Sequence, residues 1–271
     1  MKKADLHIHS TVSDGSDSIE EIIKIAEKKG LDAIAITDHD TLSHCLRIDR
    51  LKDTTRVKVL GGIEISAVDP ENNLRAHILG YGIRNPELIT ELTRPLLEAR
   101  NQNSERQAEL LRQQGYSLPE EKLHRADGKY LYKQHIMDYL VSTGQAEEMF
   151  GGFYHSIFKN NGICAFDIQY IDVFRAVETI KKAGGLAVLA HSGQQQNFYL
   201  VPQLLEYGLD GLELNHHANC TEDMEIIKIY AEEFGLFLTG GSDYHGTYEP
   251  QPFGIGDYLS EESGVRAICL E

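Results

Sequence analysis

The residues with the clearest chemical potential are histidines and carboxylates that stand two positions apart at the ends of predicted strands. His7 and His9 lie at the end of the apolar segment 4–8. Alternate side chains of a strand share one face, so these two imidazoles would point toward the same ion. Asp243 and His245 repeat the spacing after a later apolar segment. This pattern is typical of a site for divalent metal ions.

Almost every predicted strand carries a His or a carboxylate at or near its C-terminal end. The candidate metal ligands are His7, His9, Asp14, His39, Glu64, His77, His191, Asp243 and His245. One buried histidine is more often structural, but a whole set of ionisable groups is costly to bury unless it is paired or binds metal. A set of His and carboxylate ligands without Cys favours Zn²⁺, Mn²⁺ or Fe²⁺. Nine ligands are too many for one ion, so we expect two or three ions. Such ions activate water and stabilise the oxygens of a phosphoryl group.

Short apolar segments and amphipathic segments alternate along much of the chain. The predicted strands are residues 4–8, 32–37, 57–65, 75–81, 186–190, 211–214 and 236–239. The helix after the first strand should begin with a capping box of Ser18 and Glu21 and end at Gly30. This order predicts a parallel α/β fold, open or closed into a barrel. In both, active sites lie at the C-terminal ends of the strands.

The alternation of strands and helices stops in the middle of the chain. Residues 87–162 are polar and favour helices, so we predict an α/β part of residues 1–86 and 163–271 that is interrupted by a helical insertion, or cap. Residues 96–150 have a net charge of −2, and the rest of the chain carries −14. The insertion is therefore the part better suited to meet an anionic substrate.

Basic residues in the insertion are candidate contacts for a phosphate group. They are Arg100, whose guanidinium has a planar set of donors, together with Lys133 and His135. His216 and His217 follow the predicted strand 211–214 and could reach the rim of the metal site.

The composition limits the partners of the chain. Its 271 residues include 26 Lys and Arg against 42 Asp and Glu, a formal net charge of −16. This charge argues against duplex DNA but leaves short oligonucleotides open. No segment approaches the roughly 20 apolar residues of a membrane span. The first residues lack the apolar core of a signal peptide, and the four cysteines contain no CxxC pair. Both features favour a cytoplasmic protein. Nothing in the sequence indicates the oligomeric state.

Seven motifs resemble those of the polymerase and histidinol phosphatase (PHP) family of metal-dependent phosphoesterases, in its stand-alone bacterial branch with a helical insertion. In chain order they are Asp5-Leu6-His7-Ile8-His9-Ser10, Ser13-Asp14-Gly15, Thr37-Asp38-His39-Asp40-Thr41, Gly62-Ile63-Glu64-Ile65-Ser66, His77-Ile78-Leu79-Gly80-Tyr81, Val188-Leu189-Ala190-His191 and Gly241-Ser242-Asp243-Tyr244-His245-Gly246. The resemblance implies a distorted (β/α)7 barrel of the TIM-barrel type, with an inserted helical subdomain and a trinuclear metal site.

The resemblance also divides the candidate ligands among three ions. The first ion would be held by His7, His9, Glu64 and Asp243. Glu64 would bridge to a second ion, held also by His77 and His191, since a carboxylate has the two oxygens that bridging needs. Asp14, His39 and His245 would hold the third ion. A hydroxide between the first two ions is the implied nucleophile, and the general acid stays unassigned.

The implied function is hydrolysis of a phosphate monoester of a small metabolite, with a nucleotide such as a nucleoside 3′,5′-bisphosphate favoured. Three alternatives remain open. They are a 5′-to-3′ exonuclease on short oligonucleotides, a histidinol phosphatase, and an inactive module that keeps the metals for structure.

Overall fold

The computed structural model describes residues 2–125, 129–248 and 252–269, and a single sheet dominates it. Its strands are β1 (Ala4–Ile8), β2 (Ala33–Ile36), β3 (Lys58–Val68), β4 (Arg75–Tyr81), β5 (Ile171–Asp172), β6 (Leu186–Leu189), β7 (Gly211–Asn215) and β8 (Phe237–Gly240). They pair in the order β1-β2-β3-β4-β6-β7-β8, and the short β5 pairs with β3 beside this path.

The sheet closes between β1 and the segment that follows β8. The backbone N–H of Asp243 donates to the carbonyl of His7, and that of His9 donates to the carbonyl of Tyr244, each at 2.9 Å. Ile8 and Tyr244 also form a parallel bridge. The fold is therefore a nearly closed α/β barrel, as expected from the sequence. Its closure places the His7–His9 pair beside Asp243.

Helices connect the strands and form the insertion between β4 and β5. They are α1 (Ile19–Lys29), α2 (Cys45–Leu51), α3 (Pro86–Gln113), α4 (Glu120–Leu123), α5 (Lys133–Ser142), α6 (Gly152–Phe158), α7 (Val173–Lys182), α8 (Ser192–Gln195), α9 (Val201–Leu205), α10 (Thr221–Phe234) and α11 (Glu262–Cys269). The capping box of α1 is confirmed: Ser18 Oγ accepts the N–H of Glu21 at 3.3 Å, and Glu21 accepts the N–H of Ser18 at 2.8 Å.

The expectation of a parallel sheet is wrong at β4, which runs antiparallel to both of its neighbours. Only residues 69–74 separate β3 from β4, whereas a parallel crossover needs a dozen residues or more. The reversal brings the N-terminal part of β4, with His77, to the edge where parallel strands end. Glu64 was also expected at a strand end, but it lies inside β3, which continues to Val68.

The apolar residues form separate clusters in the barrel and in the insertion. The cluster of the insertion comprises Ala108, Leu111, Leu118, Leu123, Leu131, Ile136, Met137, Leu140, Ala146, Met149, Tyr154, Phe158 and Cys164. The barrel clusters draw on the strands and on α1, α2, α3, α7, α9, α10 and α11. The insertion thus has an apolar core of its own, but Ile89 and Leu92 at the start of α3 pack in the barrel cluster, and polar contacts described below join the rest of the insertion to the metal-ligand end of the barrel.

Barrel closure requires a glycine at position 241, because a β-carbon there would overlap the backbone and Cβ of His7. We expect Gly241→Ala to lower the free energy of unfolding by about 1–3 kcal/mol, since β1 would have to move away. The control is Gly254→Ala, because no neighbouring atom lies within 4 Å of a β-carbon there. Denaturant unfolding measures both. Wild-type stability of Gly241→Ala would contradict the close approach.

Candidate metal centre

All nine predicted ligands meet at one end of the barrel. The strands and the loops that leave them supply these side chains: β1 and its loop supply His7, His9 and Asp14, the loop after β2 supplies His39, β3 supplies Glu64, β4 supplies His77, the turn after β6 supplies His191, and the segment after β8 supplies Asp243 and His245. The period of two in β1 places its two imidazoles on the same face, as predicted.

The innermost group consists of His7, His9, Glu64 and Asp243. The Nε2 atoms of His7 and His9 lie 3.3 and 3.1 Å from Oε2 of Glu64. The same two nitrogens lie 3.2 and 3.1 Å from Oδ1 of Asp243. Two imidazole nitrogens and two carboxylate oxygens therefore surround one point.

The second oxygen of Glu64 faces different partners. Its Oε1 lies 2.7 Å from Nδ1 of His77 and 2.9 Å from Nε2 of His191. One carboxylate thus has an oxygen in each of two neighbouring groups of nitrogens, which is the arrangement that a bridging ligand needs.

A further group surrounds Asp14. Its Oδ1 lies 3.7 Å from Nδ1 of His9 and 3.6 Å from Nε2 of His245, and its Oδ2 lies 3.9 Å from Nε2 of His39. Ligand atoms of His9, Asp14, His39 and His245 all lie within 4.8 Å of one another, as do those of His39, Glu64 and His77. The candidate ligands therefore form adjoining clusters that share residues.

The hydrogen bonding of these groups fits metal ions. Several of their buried atoms have no hydrogen bond of acceptable geometry within the described chain: Nε2 of His7, both ring nitrogens of His9, Oδ1 of Asp14, Nδ1 of His191 and Oδ1 of Asp243. A buried polar atom without a partner costs about 1–3 kcal/mol, so such a concentration is unfavourable unless another species binds there. Imidazole and carboxylate donors suit borderline divalent cations.

The carboxylates of the centre are held in their ionised form. Burial alone would raise the pKa of Glu64, but the nearby imidazoles of His39, His77 and His7 outweigh it and hold that pKa well below its usual range. The same competition lowers the pKa of Asp14 to about 2. Negative oxygens at the bottom of a buried cluster attract cations.

The imidazoles of the centre differ in their preferred protonation state. Burial lowers the pKa of His39 to about 4, which leaves a neutral ring with a lone pair for a metal. For His9, burial also acts downward, but the carboxylates of Asp243 and Glu64 raise the pKa to about 10. Metal binding would have to displace that proton, as it does in metal sites generally.

Glu213 of β7 was missed from the sequence. Its Oε1 lies 3.0 Å from Nδ1 of His7, and its Oε2 accepts the backbone N–H of His191 at 2.9 Å. A carboxylate on one ring nitrogen fixes the tautomer and turns the other nitrogen toward the metal. An acidic residue in the middle of an apolar strand was the signal available in the sequence.

His216 also contacts the centre, but its bonds are those of a positioning group. Its Nδ1 accepts the backbone N–H of Ala218 at 3.1 Å, so in the neutral ring Nε2 carries the proton. That Nε2 lies 3.3 Å from Oδ2 of Asp243 and can donate to it. His216 therefore orients Asp243 and has no lone pair to offer an ion in this tautomer.

Three non-glycine residues at or beside the centre have a strained backbone. His191, Asp243 and Asp40 have φ angles of 25°, 50° and 60°, in the region that favours glycine. Such conformations cost on the order of 1–3 kcal/mol each and persist only where the surroundings impose them. The hydrogen bonds of Glu213 to His191 and of His216 to Asp243 are part of those surroundings.

A cavity of about 480 Å³ opens onto the centre from the side of the insertion. Asp14, His39 and His77 line its floor, and Arg100 and Lys133 line its wall. A larger cavity of about 660 Å³ lies within the insertion, between α3 and residues 120–125 and 129–131, and has none of the nine candidates in its lining. The chemistry therefore belongs to the smaller cavity.

The three predicted phosphate contacts have different surroundings. Nη2 of Arg100 donates to Oδ2 of Asp40 at 2.7 Å. Burial lowers the pKa of Lys133, and the described residues offer its ammonium neither a hydrogen bond nor an ion pair. His135 is not among the residues that line the cavity. Its Nδ1 accepts the N–H of Tyr132 at 3.1 Å at the start of α5.

Comparison with known proteins identifies the family. Residues 5–182 match the PHP domain. The chain belongs to the PHP family. A phosphoribosyl 1,2-cyclic phosphate 1,2-diphosphodiesterase of Eggerthella lenta is 40% identical over 259 residues, covering 92% of this chain and 96% of the relative. A 3′,5′-nucleoside bisphosphate phosphatase of Chromobacterium violaceum is 28% identical, covering 92% and 89%. A 5′-3′ exoribonuclease of Haemophilus influenzae is 27% identical, covering 90% of each.

A solved structure supports the same conclusion. A Bifidobacterium adolescentis protein described as a metal-dependent phosphoesterase superimposes with a TM-score of 0.89 at 27% identity, covering 99% of this chain and 96% of that chain. This PHP chain is thus a metal-dependent phosphoesterase, a hydrolase of phosphoric ester bonds. In the part of the chain that the structure describes, no helix is long and apolar enough to cross a membrane.

The role of Glu213 can be tested without substrate. Glu213→Gln keeps the size of the side chain but removes the charge that orients His7, so we expect Mn²⁺ affinity to fall about 10- to 100-fold. Calorimetric titration of metal-stripped protein measures the affinity, and Glu225→Gln on the exposed face of α10 is the control. Unchanged affinity in Glu213→Gln would contradict this role.

Proposed function

We propose that the nine residues hold two or three divalent ions, Mn²⁺, Zn²⁺ or Fe²⁺, in the three groups that the family resemblance implies. The buried atoms without a hydrogen bond and the two-sided contacts of Glu64 support this assignment. When bound, such ions polarise a phosphoryl oxygen and lower the pKa of a water molecule.

We infer that residues of the insertion orient the substrate in the cavity above the ions. The ammonium of Lys133 is half-buried, lies 5.8 Å from the centre of the Tyr154 ring and has no ion pair in the described chain, so a phosphate group would compensate its charge. Arg100 adds positive potential at the wall, although Asp40 already engages part of its guanidinium. His135 would act indirectly, because it holds the turn at Tyr132 from which Lys133 extends.

The substrate class that we propose is a small phosphorylated ribose compound. The observation that carries this proposal is the 480 Å³ cavity, which joins candidate ligands on one side to Lys133 and Arg100 on the other. The Eggerthella relative is named for a cyclic phosphodiester of phosphoribose and the Chromobacterium relative for a nucleoside bisphosphate. The higher identity of the first makes the cyclic diester the first substrate to test, with a nucleoside 3′,5′-bisphosphate second.

A second candidate is a 5′-to-3′ exonuclease acting on short oligonucleotides, which the Haemophilus relative supports. The net charge of −16 disfavours a long binding track and duplex DNA. We further propose that the enzyme acts in the cytoplasm and that its catalytic barrel comprises residues 1–86 and 163–271, with the cap at 87–162.

The metal requirement should be visible in turnover. Chelation should abolish phosphate release by the wild type, and added Mn²⁺ should restore it. With Mn²⁺ present, Glu64→Ala should release phosphate on the order of 10³-fold more slowly than the wild type, because bound ions supply several kcal/mol of transition-state stabilisation. Phosphate release and metal content are measured together, and Glu91→Ala on the exposed face of α3 is the control. Wild-type turnover by folded Glu64→Ala would contradict the proposed ligand role.

The substrate class can be tested with a panel of esters. It contains phosphoribosyl 1,2-cyclic phosphate, nucleoside 3′,5′-bisphosphates, mononucleotides, histidinol phosphate and short 5′-phosphorylated oligonucleotides. We expect the first two to be hydrolysed with the highest kcat/KM. Faster release of mononucleotides from the oligonucleotides would favour the exonuclease. Hydrolysis of none of them by Mn²⁺-loaded protein would overturn the proposed substrate class.

A further inference from the structure

The group around Asp14 differs from the innermost group because residues of the insertion reach it. From α5, Gln134 donates its Nε2–H to Oδ2 of Asp14 at 2.9 Å. Just before α5, the hydroxyl of the buried Tyr132 donates to the backbone carbonyl of His39 at 3.1 Å. Two of the candidate ligands of the third ion are therefore held from the insertion.

A third contact lies beside these two. Nη2 of Arg100, on α3, donates to Oδ2 of Asp40 at 2.7 Å and to Oγ of Ser66 at 3.0 Å. Asp40 is fully buried, and its other oxygen accepts the N–H of Ser66 at 2.7 Å. Asp40 directly follows His39, so this buried ion pair fixes the loop that presents the His39 ring.

The innermost group is supported in another way. The partners that the structure shows behind His7, His191 and Asp243 are Glu213 and His216, and both belong to the barrel. The two groups therefore depend on different parts of the chain. An ion in the innermost group needs the barrel, whereas an ion beside Asp14 also needs the insertion in place.

The contact with Gln134 determines how the Asp14 carboxylate is turned. The amide occupies Oδ2 and leaves Oδ1 directed at the imidazoles of His9 and His245, 3.7 and 3.6 Å away. Oδ1 itself is buried without a hydrogen bond. Without the amide donor, the carboxylate could rotate, and its oxygen would no longer be held toward the cluster.

We propose that Gln134 is a positioning residue for the ion held by Asp14, His39 and His245, and that the insertion must be seated on the barrel for this ion to bind. The proposal rests on the ligand set of the proposed function. Because coupling between two equilibria is reciprocal, the ion must stabilise the seated insertion by as much as the insertion stabilises the ion. Loading of this ion and closure of the cap over the substrate cavity are then one linked equilibrium.

The first test is a calorimetric Mn²⁺ titration of metal-stripped protein. Gln134→Met keeps the length of the side chain and removes the amide donor. We expect it to weaken one Mn²⁺ equivalent by about 10- to 100-fold and to leave the tighter equivalents unchanged. Gln102→Met, an exposed position on α3 in the same insertion, should titrate like the wild type. Wild-type affinity for every equivalent in Gln134→Met would overturn the proposal.

The second test is hydrogen–deuterium exchange of the α5 amides, which reports the seating of the insertion without any turnover. Mn²⁺ should slow exchange in α5 of the wild type and of Gln102→Met, and this protection should be lost in Gln134→Met. Tyr132→Phe removes the hydroxyl that donates to the backbone carbonyl of His39, and it should weaken binding of the same Mn²⁺ equivalent. This second variant keeps the proposal testable if Gln134→Met folds poorly. Exchange in wild-type α5 that is unaffected by Mn²⁺ would overturn the linkage.

The outcomes separate this proposal from the proposed function. A protein that shows both effects but hydrolyses no ester of the panel would overturn the proposed substrate class and leave the role of Gln134 standing. A protein that hydrolyses the panel while Gln134→Met titrates normally would do the reverse. A wild-type chain that binds none of Mn²⁺, Zn²⁺ and Fe²⁺ would overturn both.

Discussion

The structure depends on the burial of one carboxylate, Glu64, inside a barrel of apolar strands. An ionised group in such a place is strongly destabilising unless opposite charge surrounds it. Imidazoles contact both of its oxygens, His7 and His9 on one side and His77 and His191 on the other. The convergence of strand ends at one edge of the barrel makes this concentration of ionisable groups possible.

Charge compensation and hydrogen bonding also involve the residues that lie behind the candidate ligands. Glu213 compensates His7, and the buried Asp38 accepts hydrogen bonds from Ser10 and Ser13 in the loop that carries His9 and Asp14. These partners hold the rings and loops in place before any ion binds. Preorganisation of this kind lowers the cost of assembling a metal site and maintains the strained φ angles of His191 and Asp243.

The insertion supplies three of the four described basic residues that line the cavity, and the fourth is Arg75 of β4. The barrel end is rich in carboxylates and imidazoles, whereas Arg100 and Lys133 in the cavity wall come from the insertion. An anionic ester entering the cavity therefore meets positive charge on the side opposite the centre. Since the same helices also contact Asp14 and His39, substrate binding and the metal centre share one structural support.

The family resemblance implied the barrel, and the residues by themselves indicated an α/β fold, seven of the strands to within a few residues, and the side chains that meet at the centre. These follow from local rules, because apolar segments form strands and the period of two decides which face His7 and His9 share. The antiparallel direction of β4 follows from the short connection of residues 69–74, although the prediction of a parallel sheet missed it. Only the tertiary structure decided the contact of Glu213 with His7 and that of Gln134 with Asp14. Those contacts join residues far apart in the chain, and no local periodicity encodes which distant side chain will face a given ring.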